Sequence, residues 1–397
     1  MAVARDLREF LVASPSAFHA AHEVARHLGF PRQLEQDNFD ASVGGHTIIR
    51  GGAVVSYVIP PNPRGVRIIG AHTDSPGLML KPRPDYQAFG FDQVGVEVYG
   101  GPILESFFDR ELTVAGRVVL LDGTEHLVST GPALRLANLA IHLGREDIDR
   151  QAHLSPISLV GPIMEAVAGE LGVEVTDIAG HELITVDAQP AAITGDVVTS
   201  ARLDNLSSVF AGMIALERAA RDVGELDDVV VLAAFNHEEV GSASAQGAAG
   251  SLLEDLLYRL AGALGKDPRQ LIAASSCVSA DAAHSIHPNY PHKHDPQHRP
   301  VLGAGPVTKV NANQRYASDA ATIALWERAS AGIDHQVFVS NNSVRCGSTI
   351  GPITATRLGI PTVDVGVPLL SMHSAREMMS LRDEISLIDA LEAYLTS

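Results

Sequence analysis

Cysteine and positive charge are both scarce in this chain. Two of the 397 residues are cysteines, Cys277 and Cys346, which argues against a disulfide scaffold and favours a reducing compartment. Lysine and arginine total 29 against 47 aspartates and glutamates, so the net charge is −18. This charge argues against a nucleic-acid partner and an anionic membrane surface, although a local positive patch could still bind an anionic small substrate.

Long apolar runs are also missing. No stretch of the sequence approaches the ~20 apolar residues of a membrane-spanning helix. The first residues, 1–6, lack the charged-then-apolar pattern of a signal peptide, and we therefore expect a cytoplasmic protein. Hydrophobic residues nevertheless make up 46% of the chain, which is enough for a sizeable core and for two domains.

Apolar strands and helices alternate in two separate parts of the chain. The segment from Asp6 to about Leu28 predicts a helix interrupted near Ser14-Pro15. Further predicted elements are strands at residues 54–59, 65–70, 229–235 and 271–279, a helix after Asp204 and a closing helix at 385–395. This alternation predicts an α/β fold: a layered domain with a mixed, largely parallel sheet.

A segment of different character separates these two parts. After Lys81-Pro82-Arg83-Pro84 the sequence becomes rich in glycine, valine and alternating apolar positions. Strands are predicted there at residues 96–99, 113–120 and 183–186. We therefore predict a β-rich insert at residues 91–195, within a layered domain formed by residues 1–90 and 196–397.

Polar motifs lie where the predicted strands of the layered domain end. Ligands of such folds collect beyond the carboxyl ends of the strands. The motifs are His72-Thr73-Asp74, His237-Glu238-Glu239, Asp281 and the segment Met372-His373-Ser374. Asp204, at the start of a predicted helix, is a further candidate.

Glu238-Glu239 is the most informative of these motifs. Adjacent carboxylates after a buried strand are costly unless a cation or a proton neutralises them. One carboxylate can then bind a metal ion while the other transfers a proton, as metal-assisted hydrolysis requires. The alternative is a solvated pair of acids in a loop, and the matching histidines and aspartates elsewhere argue against it.

The remaining candidates are weak alone and informative together. Each has an ordinary alternative explanation. His72 and Asp281 could be turn residues, and Asp204 could cap a helix. His373 could start a helix beside a solvated Arg-Glu pair. As a set, two histidines and three or four carboxylates without cysteine suit a hydrolytic pair of Zn²⁺, Co²⁺ or Mn²⁺ ions. One carboxylate could bridge two ions at roughly 3.5–4 Å separation.

Ordered blocks along nearly the whole chain resemble the M18 family of co-catalytic zinc aminopeptidases, the aspartyl aminopeptidase group. The blocks include Gly70-Ala71-His72-Thr73-Asp74-Ser75-Pro76, Phe108-Asp109-Arg110, Leu139-Ala140-Ile141-His142-Leu143, Leu203-Asp204-Asn205, Asn236-His237-Glu238-Glu239, His287-Pro288-Asn289-Tyr290, Lys309-Val310-Asn311-Ala312-Asn313-Gln314-Arg315-Tyr316 and Met372-His373-Ser374. The resemblance implies removal of one N-terminal residue from peptides with a free N-terminus.

The resemblance also implies a role for each candidate at the metal site. Two divalent ions, zinc in the family, would be held by His72, Asp204, Glu239, Asp281 and His373. Asp204 would bridge both ions. Glu238 would be the general base, and Asp74 would orient His72.

Substrate choice depends on a different block. Acid-preferring members of the family carry a lysine, here Lys309, that meets the substrate carboxylate, and a solvated strand-edge lysine is the alternative. Tyr316 and His287 are further candidate substrate-binding residues because they lie in matching blocks. Neutral or broad specificity is the nearest alternative function. A carboxypeptidase or an amide deacylase on a related di-metal fold is a second alternative, which peptides with a blocked N-terminus would distinguish because an aminopeptidase needs a free one. The complete set of ligands and base argues against a non-catalytic binding protein.

The resemblance further implies that the β-rich insert is a dimerisation domain. Family members assemble from dimers into tetrahedral homododecamers, and a histidine matching His142 reaches a neighbouring subunit's active site. A surface histidine is the alternative explanation of His142. The chain departs from the family at Leu104-Glu105-Ser106-Phe107, where many members have Trp-His-Thr-Trp, which puts substrate or interface contacts of this segment in doubt.

Overall fold

The computed structural model describes residues 2–397. The helices are α1 (Ala2–Ala13), α2 (Ala17–Leu28), α3 (Ile163–Leu171), α4 (Leu203–Ala219), α5 (Leu252–Ala263), α6 (Pro268–Ala273), α7 (Ala320–Ala329), α8 (Gly351–Leu358) and α9 (Leu381–Thr396). The strands are β1 (Gly44–Arg50), β2 (Ala53–Ile59), β3 (Val66–His72), β4 (Gly77–Ala88), β5 (Phe91–Tyr99), β6 (Glu111–Leu120), β7 (Glu125–Arg135), β8 (Ile157–Ser158), β9 (Ile178–Asp187), β10 (Ala192–Thr194), β11 (Val197–Ser200), β12 (Val229–Phe235), β13 (Ser276–Ala280), β14 (Ala283–His284), β15 (Val307–Val310), β16 (Gln336–Val339), β17 (Thr362–Gly366), β18 (Pro368–Leu369) and β19 (Glu377–Ser380).

An eight-stranded mixed sheet forms the centre of the layered domain. Its strand order is β1-β2-β12-β3-β13-β17-β15-β16. The central strands β12, β3, β13 and β17 run parallel to one another, whereas β1, β2 and β15 pair with antiparallel neighbours. The predicted fold class, a mixed α/β sheet interrupted by a β-rich domain, is confirmed.

The centre of the sheet is buried on both faces, as the apolar strand β12 shows. Every residue of β12 is buried, and successive side chains alternate between two cores. Val230, Leu232 and Ala234 join the core formed with α1, α2, α4 and α9. The intervening residues of β12 join the core formed with α5 and α6. A continuous apolar run therefore becomes a central strand between two layers of helices.

The register of the parallel strands brings their polar ends together. Phe235 of β12 pairs with His72 of β3, and Ser279 of β13 pairs with Gly70 of β3. The residues that follow these strands therefore emerge at one edge of the sheet, as expected for an α/β fold. This edge carries the predicted metal ligands.

The β-rich insert is a closed barrel of β4, β5, β8, β7, β6 and β9. Its own apolar core includes Leu78, Val94 and Leu112. The barrel starts at Gly77, ahead of the predicted boundary at residue 91, because β4 pairs with β5 on both sides of the Lys81–Pro84 segment, where the sequence changes character. Its last strand ends at Asp187, within the predicted segment.

Most predicted elements of the layered domain are present, with one clear error. The N-terminal segment forms two helices that separate where predicted, and the side chain of Ser16 caps α2. The strand predicted at residues 271–279 is wrong in its first half. Residues 271–273 complete α6, which Asp267 caps, and β13 starts only at Ser276. Among the described residues, no helix is both long enough and apolar enough to cross a membrane.

Candidate metal centre

Three residues from distant parts of the chain form the first group of possible ligands. His72 ends β3, Asp281 follows β13, and Asp204 lies at the start of α4. The Nε2 atom of His72 is 3.3 Å from Oδ1 of Asp204 and 3.5 Å from Oδ1 of Asp281. One imidazole nitrogen and two carboxylate oxygens converge here, which is a donor set that zinc accepts.

A second group lies on the other side of Asp204. The Nε2 atom of His373 is 3.3 Å from Oδ2 of Asp204 and 3.6 Å from Oε2 of Glu239. Both groups have the spacing of a metal site, with candidate ligand atoms within 4.8 Å of one another. Asp204 contributes one oxygen to each group, so a single carboxylate is shared between the two groups.

Hydrogen bonds orient both histidines toward Asp204. Nδ1 of His72 is 3.0 Å from the carbonyl oxygen of Asp74, and Nδ1 of His373 is 3.0 Å from that of Gly101. A carbonyl oxygen only accepts, so each Nδ1 carries the proton. In the neutral form of each imidazole, Nε2 then has a lone pair for a metal ion, the arrangement found around metal-bound histidines.

Asp74 does more than the predicted orientation of His72. Its carboxylate is 3.4 Å from Nδ1 of His72 and also accepts the backbone N–H groups of Glu238 and Glu239, at 3.0 and 3.1 Å. The hydroxyl of Tyr99 donates to the same carboxylate at 2.7 Å. Asp74 thus fixes both the histidine of one strand end and the glutamate pair of the next.

Glu238 also lies at the cluster of candidate ligands, but it does not belong to the group that Glu239 forms with Asp204 and His373. It belongs to a further group with His72 and Glu239. Burial, together with the neighbouring carboxylates of Asp281 and Asp204, raises the pKa of Glu238 to about 7. A carboxylate of this kind beside the ligands is placed to exchange a proton with a reacting group near neutral pH.

The cluster fits a cation because its negative charge is buried. Burial disfavours charge on His373, but the carboxylates of Asp204 and Glu239 outweigh it and raise the pKa of His373 to about 10. Burial also opposes ionisation of Asp204, and the two histidines nevertheless hold its pKa well below the usual range. Oδ1 of Asp204 and Oε1 of Glu239 are buried and accept no hydrogen bond from any residue in the range 2–397. Buried carboxylate oxygens without a donor are what metal ions require of their ligands.

One glycine allows the insert to approach the ligands. Gly100 has a φ of 70°, in the left-handed region. A Cβ atom at this position would lie 3.1 Å from Cβ of Glu239. Glycine therefore meets both a conformational and a steric requirement where the barrel strand β5 leads back to the site.

Two contacts of the site were not anticipated from the sequence. The alternative explanation of His373 placed Glu377 in a solvated Arg-Glu pair, but Glu377 is buried and accepts the backbone N–H groups of Asp204 and His373. Ser106, in the segment that departs from the family pattern, accepts the N–H of Ala375 at 2.8 Å and so supports the same loop. The sequence signal for Glu377 was only its position four residues after His373.

A cavity of about 300 Å³ adjoins the candidate ligands. It is lined by Ser371 and Met372, directly before His373, and by Tyr316 and His287. Lys309 lies beside it: Nζ donates to the carbonyl oxygens of Asp281 and Ala282, at 2.8 and 3.1 Å, and is 5.2 Å from the ring centre of Tyr316. The structure therefore brings all three predicted substrate-binding residues to one region, with Lys309 2% exposed.

His142 is not brought to the cluster. It lies on an exposed turn of the insert, and within residues 2–397 it has no hydrogen bond to any of the candidate ligands. Its neighbours Leu139, Ile141 and Leu143 are 54%, 62% and 74% exposed.

Comparison with known families decides which family the chain belongs to. The family model described as "Aminopeptidase I zinc metalloprotease (M18)" matches residues 10–395. The chain belongs to the M18 family. It is therefore a metallo-aminopeptidase, a hydrolase of peptide bonds, and the family's metal is zinc.

Individual M18 proteins resemble the chain over its full length. It is 44% identical to the "Probable M18 family aminopeptidase 2" of Streptomyces coelicolor, with 98% of this chain and 96% of the relative covered. A chain in the structure of the Ape4 and Nbr1 complex is 34% identical with a TM-score of 0.95, covering 99% of this chain and 85% of that one. A chain of the S. cerevisiae mApe1 dodecamer is 27% identical with a TM-score of 0.88, covering 99% and 96%.

Proposed function

We propose that this M18 aminopeptidase removes N-terminal aspartate or glutamate from peptides at a centre of two zinc ions, with Glu238 as general base. The observation that carries the two-ion proposal is that Asp204 offers one oxygen to each of two groups of ligands. When bound, such ions supply Lewis-acid chemistry to the scissile carbonyl and to an attacking water.

The chain's own residues then divide the work. His72 and Asp281 would hold one ion, His373 and Glu239 would hold the other, and Asp204 would be shared. The Glu238 carboxylate accepts the proton of the attacking water and transfers it to the leaving amine. Because Asp74 holds the backbone N–H groups of Glu238 and Glu239, the base and the ligand keep a fixed relation to each other.

The cavity beside the ligands supports a preference for acidic residues. The net charge of the chain is −18, yet the described residues that line this cavity include no carboxylate. Lys293 and Arg345 both line it. The ammonium group of Lys309 has three N–H donors. Two are used on the carbonyls of Asp281 and Ala282, and Oδ2 of Asp281 lies 3.8 Å from Nζ. We propose that the third donor turns to the substrate carboxylate. Positively charged residues that line a cavity favour a substrate with an anionic side chain.

Selectivity between aspartyl and leucyl chromogenic substrates tests this preference. We expect the wild-type enzyme, loaded with zinc, to favour the aspartyl substrate. Removing a hydrogen bond to a charged group costs about 1.5–3 kcal/mol, so Arg345→Ala and Lys309→Ala should each lower kcat/KM for the aspartyl substrate roughly 10- to 150-fold. The leucyl substrate should be affected much less.

Two controls make this experiment decisive. Arg345→Lys keeps the positive charge and should retain most of the selectivity. A wild-type enzyme that favours the leucyl substrate would keep the aminopeptidase mechanism and contradict the acidic preference. If Lys309→Ala lowers both activities equally, the role of Lys309 is limited to supporting the backbone of Asp281.

We also propose that the enzyme self-associates through the insert into a dodecamer of tetrahedral symmetry built from dimers. The support is the exposed apolar turn 139–143 on the insert and the dodecamer of a solved relative. In such an assembly His142, carried by this turn, reaches the active site of a neighbouring subunit.

Charge placed on this turn should break the assembly. The double variant Ile141→Asp with Leu143→Asp is expected to give a smaller species by light scattering coupled to size exclusion, because two desolvated carboxylates oppose association. Tyr258→Asp, at a 45% exposed apolar position on α5, is the matched control and should leave the mass unchanged. An unchanged mass for the double variant would rule out this turn as an assembly contact.

A further inference from the structure

We infer that Glu377 is a positioning residue that fixes the spacing between the two metal ligands Asp204 and His373. This inference rests on the proposed two-ion centre. The backbone N–H of His373 donates to Oε1 of Glu377 at 2.7 Å, and the N–H of Asp204 donates to Oε2 at 2.9 Å. A single carboxylate thus joins two ligands that are remote in the sequence.

Strand pairing explains how Glu377 reaches both ligands. Glu377 opens β19 and pairs with Ser200, the last residue of β11. The chain then runs directly from β11 into α4, where Asp204 lies. Glu377 is 1% exposed, so its carboxylate is shielded from bulk solvent. Within residues 2–397, its hydrogen-bond donors are the N–H groups of Asp204 and His373.

The His373 loop needs such an anchor. His373 has a φ of 68°, a left-handed conformation that costs a residue with a Cβ atom free energy. Its N–H is held by Glu377, and its carbonyl oxygen accepts from the N–H of Ile103 at 2.9 Å. These two bonds fix the peptide groups on both sides of the ligand and so aim Nε2 at Asp204.

The opposite side of the centre is built in the same way. Asp74 accepts two backbone N–H groups there, those of Glu238 and Glu239. One buried carboxylate therefore binds the backbone of Asp204 and His373, and another binds the backbone of Glu238 and Glu239. A carboxylate is required because both of its oxygens accept, whereas a glutamine amide would turn an NH₂ group toward one of the two N–H donors.

Glu377→Gln tests the inference with little change of volume. Loss of a group that hydrogen-bonds to metal ligands without touching the metal typically weakens metal binding about 10- to 100-fold. We expect a shift of this size in the Kd for Zn²⁺, measured on the metal-free full-length chain by competition with a chromophoric chelator. Metal affinity is the readout, so the test does not depend on activity.

Asp383→Asn is the matched control. Asp383 is also fully buried and also accepts two backbone N–H groups, those of Gly303 and Gly305, each at 2.7 Å. Neither glycine is a metal ligand. We expect both variants to lower the Tm of the metal-free protein, but only Glu377→Gln to weaken Zn²⁺ binding. Equal affinities for Glu377→Gln and wild type, or an equal loss in Asp383→Asn, would overturn the inference.

A second variant covers the case in which Glu377→Gln does not fold. Glu377→Asp keeps the charge but is one methylene shorter, so it cannot reach both N–H groups, and its Kd should also rise. Wild-type affinity in Glu377→Asp would overturn the inference. A wild-type chain that binds one zinc ion would instead contradict the two-ion proposal, while the ratio of variant to wild-type affinity still decides the role of Glu377.

Discussion

Replacing Glu238 by glutamine is expected to lower kcat about 10²- to 10⁴-fold, the usual contribution of a general base, while the zinc content stays at the wild-type level. Glutamine has nearly the same shape but cannot accept the proton of an attacking water. The backbone N–H of residue 238 can still donate to Asp74, so the geometry of the neighbouring ligand should survive. Steady-state kinetics and metal analysis on the same preparation check both halves of this prediction.

The adjacent glutamate provides the matched control. Glu239 lies with His373 and Asp204 in one group of ligands, so Glu239→Gln should lose zinc as well as activity. The two variants differ by one position and make the same chemical change. If Glu238→Gln also loses zinc, or keeps more than about a tenth of the wild-type kcat when 10²-fold or more is expected, Glu238 is not the base.

The second large effect is expected at Asp204. Because its two oxygens face His72 and His373 separately, Asp204→Ala should abolish the binding of both ions and all turnover. Asp281→Ala should weaken only the ion beside His72. Zinc content after extensive dialysis, measured by mass spectrometry, separates the two results.

The interpretation of Asp204 depends on this contrast. A variant without Asp204 that retains one tightly bound ion would show that the carboxylate is not shared. Loss of both ions in Asp281→Ala as well would indicate a single cooperative site, rather than two sites joined by Asp204.

The candidate site could be predicted from the sequence because its residues follow recognisable strands. An unbroken apolar run such as β12 is typical of a central strand, and a Glu pair separated from it by two residues is costly to bury without a cation or a proton. His72 ends its strand and Asp281 directly follows its own, and the register of β3, β12 and β13 then brings these ends together. At the ends of β3, β12 and β13, the local sequence pattern therefore predicts the position in the folded chain correctly.

Glu377 could not be predicted because its burial has no local cause. It follows Arg376, and an Arg-Glu pair near a loop is normally solvated. Its carboxylate turns inward only because β19 pairs with β11, a contact between distant segments. For the same reason, the start of the barrel at Gly77 was hidden by the prolines of β4, whose pairing with β5 is broken by a shift in register.

Lys309 shows the limit of reasoning from residue type. A lysine in that block predicts a cation facing the substrate, but burial and hydrogen bonding depend on the strands around it. Nζ donates to the carbonyl oxygens of Asp281, a candidate ligand, and of Ala282. The same side chain could therefore bind the substrate carboxylate or support the backbone of the metal site. Its role in binding substrate stays a prediction.

Anomalous diffraction at the zinc edge, from crystals of the zinc-loaded enzyme, tests the central claim most directly. The account predicts two peaks roughly 3.5–4 Å apart. One should lie between His72, Asp281 and Oδ1 of Asp204, and the other between His373, Glu239 and Oδ2 of Asp204. A single peak at full zinc loading, or two peaks of which only one contacts Asp204, would contradict a two-ion centre bridged by this residue.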